Sequence, residues 1–187
     1  LAVAQDRVEE KTFLNANGAP TVAFGAASTP EEALVAVERI GVPCLMKTRR
    51  EGYDGKGQRW VEHAGAAGEV FEALGGVPVI VEAAAEFVRE LSVIAARGRD
   101  GATAVYPLAE NHHEHGILRR SIAPARVTPE LADQAERIAA RILSGLEYVG
   151  VIGIELFEMP DGRLLVNEFA PRVHNSGHWT QDGCEVD

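Results

Sequence analysis

The sequence predicts a mixed α+β fold in which antiparallel hairpins carry helices on one face. Short apolar runs separated by glycine and proline turn signals are typical of paired strands. Longer stretches at 5–17, 29–40 and 128–146 have helical spacing or helix-start signals. The alternation of these segments along the chain favours α+β over an all-helical or all-strand protein.

Composition excludes several classes of protein. The 187 residues are 46% hydrophobic, which is typical of a globular chain with a sizeable core. A formal charge of −10 argues against broad binding to a nucleic-acid backbone. Cys44 and Cys184 form neither a disulfide framework nor a metal-ligand pattern, which favours a reducing, cytoplasmic setting. The sequence contains no apolar run of about 18–20 residues and no signal-peptide pattern, so we expect no membrane partner.

The first half of the chain contains three predicted helices among short strands. Gly18 ends the first helix, and Gly41 ends the second. The second helix begins at Thr29-Pro30-Glu31-Glu32, with proline at the first helical position and glutamate at the third. The predicted helices are 5–17, 30–40 and 64–74, and the predicted strands are 21–24, 42–48, 60–61 and 77–82.

The second half is richer in strands. Thr128-Pro129-Glu130 begins the most strongly amphipathic helix, which continues to Leu146. The predicted strands are 87–97, 103–108, 117–122, 151–157 and 164–166. Residues 110–115 hold three histidines and are predicted to form a polar loop. One ligand-contacting histidine is favoured there over a zinc site, because the segment lacks a cysteine and a helical pair of histidines.

The last two strands each carry one carboxylate where a buried strand should be apolar, Glu155 and Glu168. A two-residue turn at Asp161-Gly162 would pair Pro160 with Arg163 and place the glutamates opposite each other. A four-residue loop would make them diagonal neighbours. Either register puts both on one face, where a hard cation such as Mg²⁺ would relieve their repulsion. The competing interpretation is two solvated glutamates on an exposed face.

Two further segments indicate anion chemistry. Lys47 lies within a strand, and the loop 49–58 after it holds three glycines and three cations. Glycine allows backbone N–H groups to approach a phosphate, so the loop is either a flap over phosphates or an ordinary hairpin loop. The segment 170–179 places arginine, histidine, asparagine and serine close together, and these side chains supply donors for an anion.

The order of these motifs resembles the ATP-grasp superfamily and, within it, the 5-(carboxyamino)imidazole ribonucleotide synthetases of purine biosynthesis. The resemblance spans essentially the whole chain. It implies an ATP-grasp fold with two α+β lobes that enclose ATP, and an ATP- and Mg²⁺-dependent carbon–nitrogen ligase. The substrates would be aminoimidazole ribonucleotide and bicarbonate, joined through carboxyphosphate. The motifs that carry the resemblance are Gln5-Asp6-Arg7 with Glu10-Lys11, Lys47-Thr48-Arg49 with 52–58, Arg89-Glu90-Leu91-Ser92, Tyr106-Pro107, Glu110-Asn111, Ser121–Pro124 and 167–180.

The same resemblance assigns site residues. Arg7 and Lys47 would contact ATP phosphates, Glu90 would accept the ribose hydroxyls, and Glu155 and Glu168 would hold Mg²⁺. Bicarbonate and carboxyphosphate would meet Arg172, His174 and Asn175. The residues assigned to the nucleotide are Arg7, Lys47, Gly52, Tyr53, Asp54, Gly55, Lys56, Gly57, Gln58, Glu82, Ala83, Ala84, Ala85, Glu90, His113, Asn167 and Glu168. Tyr53 and Asp54 are also expected to face the aminoimidazole.

The resemblance also implies a domain layout. Residues 1–19 would be a linking helix, 20–83 a lid subdomain and 84–187 a truncated central subdomain. The chain starts without methionine and stops just after the polar cluster, so we expect a fragment of a homodimeric protein that turns over poorly alone. The alternatives are another ATP-grasp ligase, such as a biotin-carboxylase-like or formate-dependent glycinamide ribonucleotide enzyme, and a non-catalytic nucleotide-binding module.

Overall fold

The computed structural model describes residues 3–52 and 56–186. The chain divides into two compact units, one from Leu1–Thr12 and Val22–Ala85, the other from Phe13–Thr21 and Glu86–Asp187. The predicted nucleotide contacts Tyr53, Asp54 and Gly55 lie outside the described residues. Within the described ranges, none of the helices combines the length and the apolar character that a membrane crossing requires.

Helices of the first unit begin and end where local chemistry predicts. A 3₁₀ turn at Val3–Gln5 precedes α1 (Arg7–Ala16), which extends into the second unit. Asp6 caps α1, because its Oδ1 accepts from the backbone N–H of Val8 at 3.0 Å. Thr29 caps α2 (Pro30–Ile40) in the same way through Glu32 N–H. The predicted helix 64–74 is confirmed as a 3₁₀ turn, Ala64–Ala66, followed by α3 (Ala67–Ala73).

The first unit contains a four-stranded antiparallel sheet. Its strands are β1 (Phe24–Ala27), β2 (Cys44–Thr48), β3 (Gln58–Val61) and β4 (Val79–Ala83), in the order β1-β4-β2-β3. Helices α2 and α3 cover the sheet and close an apolar core. The buried core residues are Ala27, Ala33, Ala36, Val37, Cys44, Met46, Val61, Ala67, Phe71, Val79 and Val81.

The second unit contains a six-stranded antiparallel sheet covered by one long helix. The strands are β5 (Arg89–Arg97), β6 (Thr103–Val105), β7 (Ala109–Glu114), β8 (Ile117–Ile122), β9 (Gly150–Glu158) and β10 (Leu164–Ala170). Their order is β10-β9-β5-β7-β8, with β6 on β5. Helix α4 (Pro129–Gly145) buries the predicted apolar stripe at Leu131, Ala135, Ile138 and Ile142. A 3₁₀ turn at Asn175–Gly177 and α5 (Thr180–Gly183) follow the sheet.

Three predicted elements differ from the structure. The strand predicted at 21–24 begins only at Phe24, because Thr21 N–H donates to Asn15 Oδ1 at 3.1 Å instead of joining the ladder. The strand predicted at 103–108 ends at Val105, near Pro107, which has no N–H to donate. The loop predicted at 110–115 was wrong: it is mostly β7, in which Asn111 pairs with Glu90 of β5. Its polar side chains alternate along a strand.

Candidate functional site

A buried charge cluster in the first unit surrounds Glu82 on β4. Lys47 of β2 places its Nζ 2.7 Å from Glu82 Oε2, and Lys11 of α1 places its Nζ 3.5 Å from Oε1. The three residues are only 1% (Lys11), 8% (Lys47) and 4% (Glu82) exposed. Burial alone would raise the pKa of Glu82, but Lys47 and Lys11 more than offset that effect, and the pKa is lowered. Glu82 is therefore an anion held between two cations.

Sequence reasoning did not assign a site role to Lys11. A signal was available, because Lys11 follows Arg7 by four residues and so shares its side of α1. Glu82 was assigned to the nucleotide, and its carboxylate oxygens face the two lysines. Ala83 ends β4 and donates its N–H to Ala23 O at 2.9 Å, and Ala84 and Ala85 follow in irregular backbone. The nucleotide contacts assigned to 82–85 stay a prediction.

Asp6 ties the start of α1 to the segment that enters the glycine-rich loop. Its carboxylate lies 2.9 Å from Arg49 Nη2 and 3.2 Å from Arg50 Nε. Burial would raise the pKa of Asp6, but the hydrogen bonds from Arg49 and the helix N–H groups lower it. Arg7 follows directly, and its Nη2 donates to Gly52 O at 3.4 Å. The predicted phosphate ligand Arg7 thus contacts Gly52, within the loop that was predicted as a flap.

The two described ends of this loop are hydrogen-bonded to each other. Thr48 N–H donates to Gly57 O at 2.8 Å, and Gln58 is the β3 partner of Lys47. Gly57 has φ +71°, and a Cβ there would lie 2.7 Å from Thr48 Oγ1. A glycine is therefore required at this position. Lys56 is exposed beside it.

In the second unit, Glu90 and His113 meet across the β5–β7 pair. His113 Nδ1 lies 2.8 Å from Glu90 Oε2. The register of β7 shifts between His112 and His113, which brings His113 to this position. The hydrogen bond to Glu90 raises the pKa of His113, although burial opposes the effect. The two residues were assigned separately to the nucleotide, and the structure places them in contact.

The carboxylate pair on the last hairpin is brought together by a bulge. Glu158 pairs with Leu164, so residues 159–163 form the loop and neither predicted turn length is found, although Glu155 lies directly opposite Glu168, as the two-residue turn predicted. The register then shifts at Asn167, which makes Glu168 the direct partner of Glu155. The bulged Asn167 donates from Nδ2 to Glu155 Oε2 at 3.1 Å. Both glutamates lie on one face, as predicted, but for a different reason.

His174 joins this pair from the segment after β10. Its Nε2 lies 3.6 Å from Glu155 Oε1, and the residue is 8% exposed. Burial lowers the pKa of His174. The neighbouring Arg172 and Asn175 are exposed: Arg172 donates to Val173 O at 2.8 Å, and Asn175 Oδ1 accepts from Ser176 N–H at 2.9 Å. Of the three predicted catalytic residues, only His174 lies against the carboxylates.

The residues of this cluster fit a divalent cation. Glu155, Glu168 and His174 each offer a ligand atom, and these atoms lie within 4.8 Å of one another. Burial and the facing Glu168 raise the pKa of Glu155 to about 7. Such a shift means that a second negative charge is unfavourable here unless a cation accompanies it. Oxygen ligands on two carboxylates are suited to a hard ion such as Mg²⁺.

Comparison with known proteins agrees with the motifs. The chain is 45% identical to the N5-carboxyaminoimidazole ribonucleotide synthase of Brucella melitensis, over 100% of this chain and 52% of that protein. The solved synthetase of Thermus thermophilus aligns at a TM-score of 0.92 with 46% identity, over 100% of this chain and 50% of that one. The Aspergillus clavatus structure with ADP and 5-aminoimidazole ribonucleotide aligns at 0.87 with 30% identity, over 98% and 48%.

These relatives confirm the predicted resemblance and the predicted fold class. The chain spans about half the length of the curated relatives that it matches. Residues 12–187 match the ATP-grasp domain. The chain belongs to the ATP-grasp family.

Proposed function

We propose that the protein containing this chain carboxylates 5-aminoimidazole ribonucleotide with bicarbonate at the expense of ATP. The products are 5-(carboxyamino)imidazole ribonucleotide, ADP and phosphate. The observation that carries the proposal is the facing pair Glu155 and Glu168 with His174 beside it, in a chain 45% identical to such a synthase. The known Aspergillus structure holds ADP and the aminoimidazole nucleotide, which supports the choice of substrates.

ATP is assigned to residues in each unit. In the first unit Arg7 and Lys47 would contact the phosphates, and residues 52–58 would cover them. The pair formed by Lys47 and Glu82 supports this assignment, because a lysine held at a fixed position needs little reorganisation when an anion arrives. In the second unit Glu90 would accept the ribose hydroxyls beside His113. Residues 82–85 would meet the adenine.

Mg²⁺ is assigned to Glu155 and Glu168, with Asn167 alongside. When bound, the ion would neutralise charge on the transferring phosphoryl group. The two carboxylates hold a fixed spacing because they are cross-strand partners on a paired hairpin. Asn167 would orient the Glu155 carboxylate through its amide.

The reaction needs two group transfers. A bicarbonate oxygen attacks the γ-phosphorus of ATP, and the bond to the β-phosphate oxygen breaks to release ADP. The amine of the aminoimidazole then attacks the carboxyl carbon of carboxyphosphate, phosphate leaves and the nitrogen loses a proton. Arg172, His174 and Asn175 would donate hydrogen bonds to the anionic oxygens. A closed loop at 52–58 would keep water from the labile intermediate, and its Tyr53 and Asp54 would face the aminoimidazole.

The remaining expectations belong to the intact protein. We propose a cytoplasmic homodimer in which residues 1–19 link to a further domain, 20–83 form a lid and 84–187 form a central subdomain. Sedimentation of the intact protein at several concentrations measures the dimer directly. A single monomeric species at all concentrations contradicts it.

Phosphate release by the intact protein tests the activity. The assay contains Mg-ATP, with bicarbonate and 5-aminoimidazole ribonucleotide added singly and together. We expect release that requires the aminoimidazole nucleotide and rises with bicarbonate. Release that is indifferent to that nucleotide would point to a different ATP-grasp ligase, and no ATP use at all to a binding module.

The variant Glu168→Gln tests the metal assignment. It keeps the shape of the side chain and removes one of the two facing charges. We expect loss of Mg²⁺-dependent phosphate release, because an amide is a weaker ligand for a hard cation. Glu147→Gln, outside the sheet, is the matched control and should keep the activity. Undiminished activity in Glu168→Gln would contradict the assignment.

A further inference from the structure

The His174 side chain lies directly on the backbone of β9. A Cβ added to Gly153 would lie 2.6 Å from His174 Cβ and 2.9 Å from its Cγ. These two atoms are at the base of the His174 side chain and cannot withdraw as the end of a long side chain can, so any residue larger than glycine would displace the histidine. The absence of a side chain at Gly153 therefore allows the His174 ring to pack against β9 beside Glu155.

The other side of the ring is fixed by Ser176. This residue is 0% exposed, and its Oγ lies 2.9 Å from His174 Nδ1. Its backbone N–H is also directed at Nδ1, at 3.4 Å. The same N–H donates to Asn175 Oδ1 at 2.9 Å, and because a backbone N–H can only donate, its approach to Nδ1 favours the tautomer in which Nδ1 presents its lone pair. The serine hydroxyl then donates to the same nitrogen.

We propose that Ser176 and Gly153 are positioning residues that hold His174 as the tautomer protonated on Nε2. His174 is then a hydrogen-bond donor at the carboxylate pair and not a ligand of the cation. The identity of the anion that His174 contacts, bicarbonate or carboxyphosphate, rests on the proposed function. The assignment of the tautomer does not depend on that function.

The consequence separates two possible roles for His174. A protonated Nε2 has no lone pair for a metal ion, although its distance to the carboxylates would otherwise permit ligation. At 3.6 Å from Glu155 Oε1 it makes no hydrogen bond of normal length with that oxygen. Its proton points toward the carboxylates, where it can serve an anionic oxygen. Glu155 and Glu168 alone then supply the protein ligands of the cation.

Nitrogen chemical shifts of isotope-labelled histidine in the intact protein test the tautomer. The His174 signals are assigned by their loss in His174→Gln. We expect the shift of an unprotonated nitrogen at Nδ1 and of a protonated one at Nε2, and no change when Mg²⁺ is added with ADP beyond a small perturbation. A protonated Nδ1, or a metal-induced shift at Nε2 typical of ligation, would overturn the proposal.

Two variants test the positioning role. Ser176→Ala removes the hydroxyl and should give a mixture of both tautomers. Its KM for bicarbonate should rise about 10-fold, the lower end of what loss of a supporting hydrogen bond does, with the KM for ATP little changed. Gly153→Ala should raise the same KM. Thr180→Val is the matched control, because its buried hydroxyl bonds Gly177 O and not the ring.

The outcomes separate this inference from the proposed function. If Ser176→Ala and Thr180→Val behave alike in both the nitrogen shifts and the bicarbonate KM, Ser176 does not position the ring. If the protein shows no bicarbonate-dependent activity, the proposed function fails, and the wild-type nitrogen shifts still decide the tautomer. If Ser176→Ala does not fold, those wild-type shifts remain the deciding measurement.

Discussion

At the scale of single residues, the buried charges around Glu82 are the most sensitive feature of the first unit. Lys11 and Lys47 are both withdrawn from water, and Glu82 neutralises them from β4. A buried ion pair adds little net stability compared with apolar packing, but removing one member leaves a charge without a partner. Burial lowers the pKa of Lys11, which means that removal from water disfavours the charged form of this lysine.

Glu82→Gln is expected to destabilise the protein by about 3–5 kcal/mol, because two buried ammonium groups lose their shared anion. Denaturant unfolding followed by fluorescence measures the change. Glu38→Gln on the exposed side of α2 is the control and should alter stability by no more than about 0.5 kcal/mol. Equal stability of the two variants would mean that the cluster is hydrated in solution.

The lowered pKa of Glu82 also predicts that the stability of the protein depends on pH in the acid range. The pKa of Glu82 lies below its ordinary value of 4.5 in the folded protein. Its contribution to stability is therefore complete above 4.5 and is lost as the pH falls from there through the lower folded pKa. The gap in unfolding free energy between wild type and Glu82→Gln should thus be constant near neutrality and shrink as the pH falls below 4.5. A gap that widens on acidification would contradict the lowered pKa.

At the scale of elements, the hairpin β9–β10 shows how a single extra residue aligns a site. Its loop gives a register in which Glu155 would face Asn167, and the bulge at Asn167 moves Glu168 into that place. The bulge also turns the Asn167 amide toward Glu155. Bulges are common beside active sites because they redirect one side chain without ending the strand.

Helix α4 packs against this hairpin, and its N-terminus is capped by Thr128. Thr128 Oγ1 accepts from Leu131 N–H at 3.3 Å, and Gln134 on the helix accepts from Leu164 N–H at 2.6 Å. Thr128→Ala should lower the free energy of unfolding by about 1 kcal/mol through loss of the cap. Thr128→Ser keeps the hydroxyl and should remain near wild type in the same denaturant experiment. If both variants lose the same stability, the methyl group and not the cap is what matters.

At the scale of the whole molecule, the chain is two compact units, each with its own antiparallel sheet and its own apolar core. Phe71 lies in the core of the first unit and is 2% exposed. Ile142 lies under the sheet of the second unit and is 0% exposed. Each removes a large apolar side chain from water within its own unit.

Hydrogen exchange should report the two cores separately. Phe71→Ala is expected to cost about 3–5 kcal/mol and Ile142→Ala about 2–5 kcal/mol, from lost burial and the cavities left behind. Phe71→Ala should speed amide exchange mainly within 22–85, and Ile142→Ala mainly within 86–186. Equal acceleration across both ranges in either variant would mean that the chain unfolds as one cooperative unit.

The sequence by itself determined the elements that depend on neighbouring residues. Thr29 and Thr128 cap α2 and α4 as their Thr-Pro-Glu starts predict, and the apolar stripe of α4 is buried as its spacing predicts. Motif order was also sufficient to predict the family, because the residue types and spacing of the 52–58 loop and the 167–180 segment can be seen directly in the sequence. These signals are local, so tertiary structure has little power to alter them.

Only the tertiary structure decided which side chains from different strands and helices contact one another. The bulge at Asn167, the shared pairing of Glu82 with Lys11 and Lys47, and the contact of His174 with both Gly153 and Ser176 were not predictable from spacing. The predicted loop at 110–115 became a strand for the same reason, since pairing with β5 outweighed its polar composition. Such contacts depend on strand register and burial. Both are determined by interactions between residues that are far apart in the sequence.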